Sequence, residues 1–413
     1  MEVVFSRCAG IDVSKRDATV CVRVQGRGST ATSATVKSWG VSTPQLVRLR
    51  EALQAEGVQR VVMESTGDYW RPVFYVLAEA LDVQLLKASD VKAIPGRKSD
   101  VSDAEWLADL AAHGLVRGSF VPPEAQRQLR DLTRARAVLL QERTREVQRL
   151  EKDLEDACIK LSGIVSSLQG VSARQMLEAL VHHEHDPAVL AELAKGRLRR
   201  RIEELTEALT GQFNDHHAFM VQLRLRRVDA ATADVAVLDA RIEELLVAEP
   251  GFSFARELLL SVPGLGLHGA TDLLAEIGPD MTVFATPQAL ASWVGVCPGN
   301  HQSAGMKKPV GVLPGNRYAK RALGIAAKSA ARQKNGFLAA RFKRLAARRG
   351  YGRALVATEH AMIIAIWHML SNGEPYHDLG SDFYVRNTPQ RVLRHKIAAL
   401  EAAGYTVIKN AAA

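Results

Sequence analysis

The chain has 413 residues, room for two or three domains, and its 47% hydrophobic and 24% charged content excludes a disordered or membrane-embedded class. A formal net charge of +9 and a pI near 9.4 favour a polyanionic partner. Four scattered cysteines (Cys8, Cys21, Cys158 and Cys297) with no C-x-x-C pair exclude a disulfide scaffold and a cysteine zinc centre, and fit a reducing compartment.

At the N-terminus Glu2, Arg7 and Asp12 stand where a signal peptide would need an apolar core, so a cytoplasmic location is expected. CAGIDVSKRDATVCVRV predicts a strand ending at Asp12, a polar turn and a second strand from Ala18 to Val24, paired as a hairpin. RVVMEST predicts another strand with Glu64 near its end. YWRPVFYVLAEAL has helical period, and DVQLLKA is strand-like. SDVSDAEWLADLAAHG predicts a helix with Ser99 as N-cap and Gly114 as stop. This alternation predicts an α/β domain over residues 1–122. Asp100 and Asp103, three apart at that helix start, share one face a turn apart, where like charges repel unless a cation lies between them.

VPPEAQ marks a boundary, and residues 123–250 predict a helical coiled-coil arm. Leu129, Leu132, Val138, Leu139, Val147, Leu150, Leu154 and Leu161 recur at near-heptad spacing. A second run, from RRIEELTEAL to RIEELLV, follows a less regular middle. Two or three helices would serve as a spacer or a dimerisation element. His182, His183 and His185, with His216 and His217, have metal-ligand types but no tetrahedral zinc spacing.

From EPGFSFAR onward, residues 251–413 predict a mainly α C-terminal domain. SVPGLGLHGATDLLAEIG reads as a helix-hairpin-helix-like turn, with Gly264 and Gly266 placed either to contact phosphate or to pack two helices. From Met281 to Thr358 there is no Asp or Glu, yet the stretch holds Lys307, Lys308, Arg317, Lys320, Arg321, Lys328 and Arg332. Arg317, Arg321, Lys328 and Arg332 share one helix face. A merely solvated face mixes signs, so a long acid-free one predicts a nucleic-acid backbone surface. ALVATEHAMIIAIWHML, interrupted by Glu359, His360 and His368, reads as a buried helix too short and polar to span a bilayer. RVLRHKIAALEAAGYTVIKNAAA adds a short amphipathic helix.

Two constellations carry chemistry. Asp12, Glu64, Asp100 and Asp103 come from separate elements of the first domain. Each alone is an ordinary turn, strand-end or helix-start acid. Converging oxygen ligands would instead hold Mg²⁺ or Mn²⁺ for phosphoryl chemistry. In LASWVGVCPGNHQSAGMKKPVG, Ser303 lies in a Gly-containing loop just before Lys307 and Lys308. No G-x-S-x-G elbow and no His-Asp partner accompany it, so local sequence alone favours a structural or phosphate-contacting serine. Ser292 is a poorer candidate, in helix-like, aromatic surroundings that suggest packing.

The acid placement resembles the RNase H-like (RuvC-like) fold of Holliday-junction resolvases. More closely, G-I-D-V-S-K, E-S-T-G-D-Y and K-S-D-V-S-D-A-E-W-L-A together resemble the insertion-sequence transposases of the IS one-ten / IS eleven-eleven family. The resemblance runs nearly the full chain and implies an Asp-Glu-Asp-Asp tetrad of metal ligands at Asp12, Glu64, Asp100 and Asp103. It also implies that a C-terminal serine, best matched by Ser303, attacks DNA and becomes linked to it. A homo-oligomer (dimer or tetramer), donor and target DNA, and a structured bridge RNA as guide follow from the same resemblance. Competing readings are a structure-selective nuclease using the tetrad and water, and a non-catalytic nucleic-acid-binding scaffold.

Overall fold

The computed structural model describes residues 3–26, 31–65, 67–87, 103–116, 118–299, 302–303, 306–307, 311–387 and 389–407. The chain divides into two compact units, 1–122 and 123–413.

The first unit runs β1 (Arg7–Val13), β2 (Asp17–Val24), β3 (Ser33–Gly40), α1 (Thr43–Ala55), β4 (Arg60–Ser65), α2 (Trp70–Ala78), β5 (Val83–Lys87) and α3 (Asp103–Ala112). The strands form one mixed sheet in the order β3-β2-β1-β4-β5. The first three are antiparallel neighbours, and β4 and β5 continue from β1 in parallel. A short polar turn is enough to fold β2 back beside β1, whereas the parallel β4 needs a crossover, which contains α1. β1 does not alternate apolar and polar residues because both of its faces are covered. Ala9 and Ile11 meet the core of Leu46, Leu49, Leu53, Val73 and Leu77. On the opposite face, Cys8 packs with Val62, Leu86 and the α3 residues Leu107, Leu110 and Ala111.

In the second unit, α4 (Glu124–Asp156) leads out to α5 (Val171–Val181), α6 (Pro187–Glu192) and α7 (Ile202–Leu209), and α8 (Asp215–Ala248) leads back. The long helices α4 and α8 pack antiparallel, since Arg224 meets Asp153 at 3.0 Å near one end and Arg136 meets Asp239 at 2.6 Å near the other. The irregular middle of the sequence folds into a packed knob in which Leu177, Leu190 and Leu205 close on Leu150, Leu154 and Val221. The run from Arg200 to Val247 is not one helix. It breaks before Asn214, whose side chain caps α8 in a reciprocal box with His217.

The chain then forms α9 (Pro250–Leu260), α10 (Leu267–Ile277), α11 (Pro287–Val294), β6 (Gln302–Ser303), β7 (Met306–Lys307), α12 (Arg317–Arg332), α13 (Phe337–Arg349), α14 (Tyr351–Asn372), α15 (Phe383–Asn387) and α16 (Pro389–Ala402). Their shared core takes in Leu129, Ile242 and Leu246 from the roots of the two long helices. α14 is longer than its apolar run suggests, and by length and composition its 22 residues would suffice to cross a membrane. Here Met362, Ile363, Ile366 and Met369 lie in the helical core, and Glu359 on the same helix is buried. It is a core helix.

Candidate active site and nucleic-acid interface

Asp12 and Glu64 are the penultimate residues of neighbouring parallel strands, β1 and β4. The register pairs Gly10 with Val62 and Ile11 with Met63, and one further step brings Asp12 level with Glu64. Because side chains alternate along a strand, Asp12 shares the face of Cys8 and Gly10, and Glu64 shares that of Val62. This is the face that α3 covers. The helix approaches closely because position 10 has no side chain. A Cβ there would run into the Ala104 carbonyl oxygen and the Ala108 nitrogen, and would stand 2.8 Å from the Leu107 Cβ. Two alanines, Ala104 and Ala108, present the matching small surface around Cys21.

Asp103 is the first described residue of α3 and is exposed, while Asp12 is half-buried. Burial pushes the Asp12 carboxyl above its ordinary value. The negative charge of Asp103 pushes it the same way, and a hydrogen bond with the Val13 backbone opposes both. A hard divalent cation held between these two oxygen-only side chains would relieve the repulsion that Asp103 exerts on Asp12. Asp100 lies outside the described residues, as does Ser99. Among the described residues, no three His, Cys, Asp or Glu side chains form a group able to hold a metal.

Ser303 closes a narrow two-stranded excursion. α11 ends at Gly295 in the left-handed conformation, and α12 begins after its N-cap Asn316. Between them the chain pairs with itself in nested steps. Asn316 N–H donates to Trp293 at 3.1 Å, and Pro298 bridges Val312. Gly299 N–H then donates to Gly311 at 3.3 Å, and β6 pairs with β7, with Ser303 opposite Met306. The serine is therefore at the end of a short strand pair instead of in a plain loop. Ser292, expected to pack, is exposed on α11. His301 and Lys308 lie outside the described residues.

α12 shows why a basic helix can also pack. Ala319, Ala322, Leu323, Ala326, Ala327, Ala330 and Ala331 are buried, while Arg317, Arg321, Lys328 and Arg332 are exposed on the other side. Lys320 is half-buried and is one of two cations, with Lys328, that act on the buried carboxylate of Glu359. Burial raises Glu359 and the two lysines oppose that rise. The Arg317 guanidinium lies 4.8 Å from the Tyr318 ring centroid, and Arg134 of α4 lies 4.6 Å from it. Lys307 falls within β7. The two glycines of the α9–α10 turn differ. A Cβ at Gly264 would run into the Ala326 carbonyl and stand 2.9 Å from the Ala330 nitrogen, so this residue is turned toward α12. Gly266, the N-cap of α10, faces open space.

Sequence reasoning passed over a buried polar cluster beside this region, formed by Gln126, Arg130 and Arg134 of α4, Glu276 of α10 and Asn316. Helical spacing of the α4 members on an otherwise apolar side was the available signal, together with Asn316 just ahead of a helix.

Two family models match the chain. An IS110-type DEDD model described as "Transposase" covers residues 9–159, and one described as "Transposase IS116/IS110/IS902 family" covers residues 256–343. Together they cover more than half of the chain. A "Probable family 20 transposase" of Pseudomonas aeruginosa is 25% identical over 60% of this chain and 64% of its own length. The "Insertion element IS900 uncharacterized 42 kDa protein" of Mycobacterium paratuberculosis is 27% identical over 55% of this chain and 59% of its own. The chain thus spans about three fifths of each of these curated relatives.

Proposed function

Because the chain belongs to the IS110 family of transposases, we propose that it cuts and rejoins donor and target DNA through a covalent phosphoserine at Ser303. The Ser303 oxygen attacks a phosphodiester, a serine–phosphorus bond forms, and the bond to the leaving strand oxygen breaks. The serine proton passes to solvent and the leaving oxygen ends as a strand-end hydroxyl. A hydroxyl of another strand then attacks the phosphoserine and releases the serine. The acidic tetrad of Asp12, Glu64, Asp100 and Asp103 holds divalent ions, Mg²⁺ or Mn²⁺. Such ions, when bound, withdraw charge from the phosphate and ease loss of the serine proton.

The observation that carries this reading is the approach of α3 to Gly10, which brings Asp103 to the sheet end where Asp12 and Glu64 stand level. The RNase H-like assignment of the first unit is supported by its strand order, three antiparallel strands followed by two parallel ones. The acid-free basic stretch supports phosphate-backbone partners, DNA and a structured guide RNA alike. A homo-oligomer is part of this reading, since cutting and joining two duplexes needs more than one serine.

The test is a denaturing protein gel of labelled recombination-site DNA incubated with guide RNA, Mg²⁺ and wild type, Ser303→Ala or Asp12→Asn. A DNA-linked band lost in both variants is expected. Cleavage by Ser303→Ala with no linked band in any lane would replace this reading with a water-using nuclease.

A further inference from the structure

Glu276 is a carboxylate with 1% exposure, held by donors from two sides. Arg134 Nε donates to one oxygen at 2.7 Å and Arg134 Nη2 to the other at 2.8 Å. Asn316 Nδ2 donates to that second oxygen at 2.7 Å, and Arg130 stands 3.6 Å away. Arg130 and Gln126 also donate to the backbone carbonyls of Ala275 and Glu276. A carboxylate buried this deeply is tolerated because both of its oxygens accept hydrogen bonds and two guanidinium groups stand beside it.

Asn316 is the joint. Its side-chain oxygen accepts from the Tyr318 and Ala319 N–H groups at 3.0 Å each, which starts α12. Its own N–H closes the base of the Ser303 excursion on Trp293. Its remaining group, the amide nitrogen, goes to Glu276. The base itself has no slack. A Cβ at Gly295 would meet the Leu313 and Pro314 carbonyls at 2.8 and 2.9 Å, and one at Gly315 would run into the Val294 carbonyl. From Gly295 to Ser303 the chain can reach about 28 Å at most, so a small tilt at the base displaces the serine by several ångströms.

We infer that Glu276 is a positioning residue for Ser303, fixing through Asn316 the angle at which the serine-bearing excursion leaves the helical core. The inference rests on the reading of Ser303 as nucleophile. It also predicts the effect of a single substitution. Asp caps a helix as well as Asn does, so Asn316→Asp keeps α12 started but sets a second carboxylate against Glu276. Carboxylate oxygens do not donate to each other as the Asn316 amide does, so the link between Glu276 and the base of the excursion is lost.

The experiment uses the full chain with guide RNA, Mg²⁺ and labelled recombination-site DNA, and measures the single-turnover rate of linkage and the DNA affinity. Asn316→Asp is expected to link DNA about tenfold more slowly than wild type, with DNA affinity unchanged. A wild-type rate overturns the inference, and so does a loss of rate matched by an equal loss of DNA affinity. In parallel, backbone amide exchange of the protein alone is expected to quicken across residues 296–299 and 311–316 in Glu276→Ala. Unchanged exchange there overturns the inference as well. If wild type forms no linked product, the proposed function falls, and the exchange result still decides whether Glu276 holds the excursion.

Discussion

Single residues set the chemistry of the acidic end of the sheet. Asp12 is raised mainly by burial and then by Asp103, so its folded-state pKa lies above that of the unfolded chain. For an acid shifted in this direction the folded state binds the proton more tightly. The associated stability is present in acid and lost as pH rises through the folded value, which leaves a penalty at neutral pH. Asp12→Asn, measured without divalent ions, should therefore melt about one or two degrees higher than wild type at pH 7, and the gap should close toward about pH 3. Adding Mg²⁺ should raise the wild-type midpoint and leave that of Asp12→Asn in place. Gly10→Ala drives a methyl into the α3 backbone and should cost about 3 kcal/mol in denaturant unfolding. An unchanged midpoint would mean that α3 does not rest on β1 as described. Asp12 and Glu64 were legible as strand-end acids because each closes an apolar run, and Asp103 as a helix-start acid because an amphipathic run follows it. Glu276 and Arg136 were not, because the arginines on Glu276 and the carboxylates on Arg136 stand more than a hundred residues away and no local pattern marks them.

Elements were legible in proportion to how strongly one face is buried. α4 and the later part of α8 announce themselves by apolar spacing, and β1, β2 and β4 by continuous apolar runs. β3 escaped notice because Ser33–Ser38 are exposed, so its sequence carries no buried alternation. Within the knob, α6 escaped because it has only 6 residues, too few for a periodic signal, whereas α7 was legible as the start of the second helical run. The break before α8 did have a marker. Gly211 lies where a Cβ would enter the Ala157 carbonyl, and Asn214 follows as a cap. Between the long helices, Arg136 is 3% exposed and bridges Asp239 and Asp272 at 2.6 Å each. Arg136→Ala would leave both carboxylates without their shared partner in a crowded helix junction, and should destabilise the second unit by about 3–5 kcal/mol. Thermal unfolding of the variant checks this, and a loss under about 1 kcal/mol would show that water can reach and solvate the pair.

At the scale of the molecule, charge is the feature the sequence conveyed best. The stretch from Met281 to Thr358 lacks acids, and α12 exposes four cations while burying its alanines. Replacing Arg321 and Lys328 together by Ala should weaken nucleic-acid binding across sequences and lower the salt dependence of log affinity by about 0.9 for each phosphate no longer neutralised. A titration of affinity against salt concentration measures the slope, and an unaltered slope would remove that face from the interface. What composition could not convey is mechanical. α4 is 33 residues long, so it is a beam of about 50 Å, anchored at its root by Arg130, Arg134 and Arg136 and weighted at its far end by the knob. A root rotation of only ~5° would sweep that end through ~4 Å. The stiffness of a few buried charge pairs thus sets how accurately the protein can aim whatever its distant knob touches.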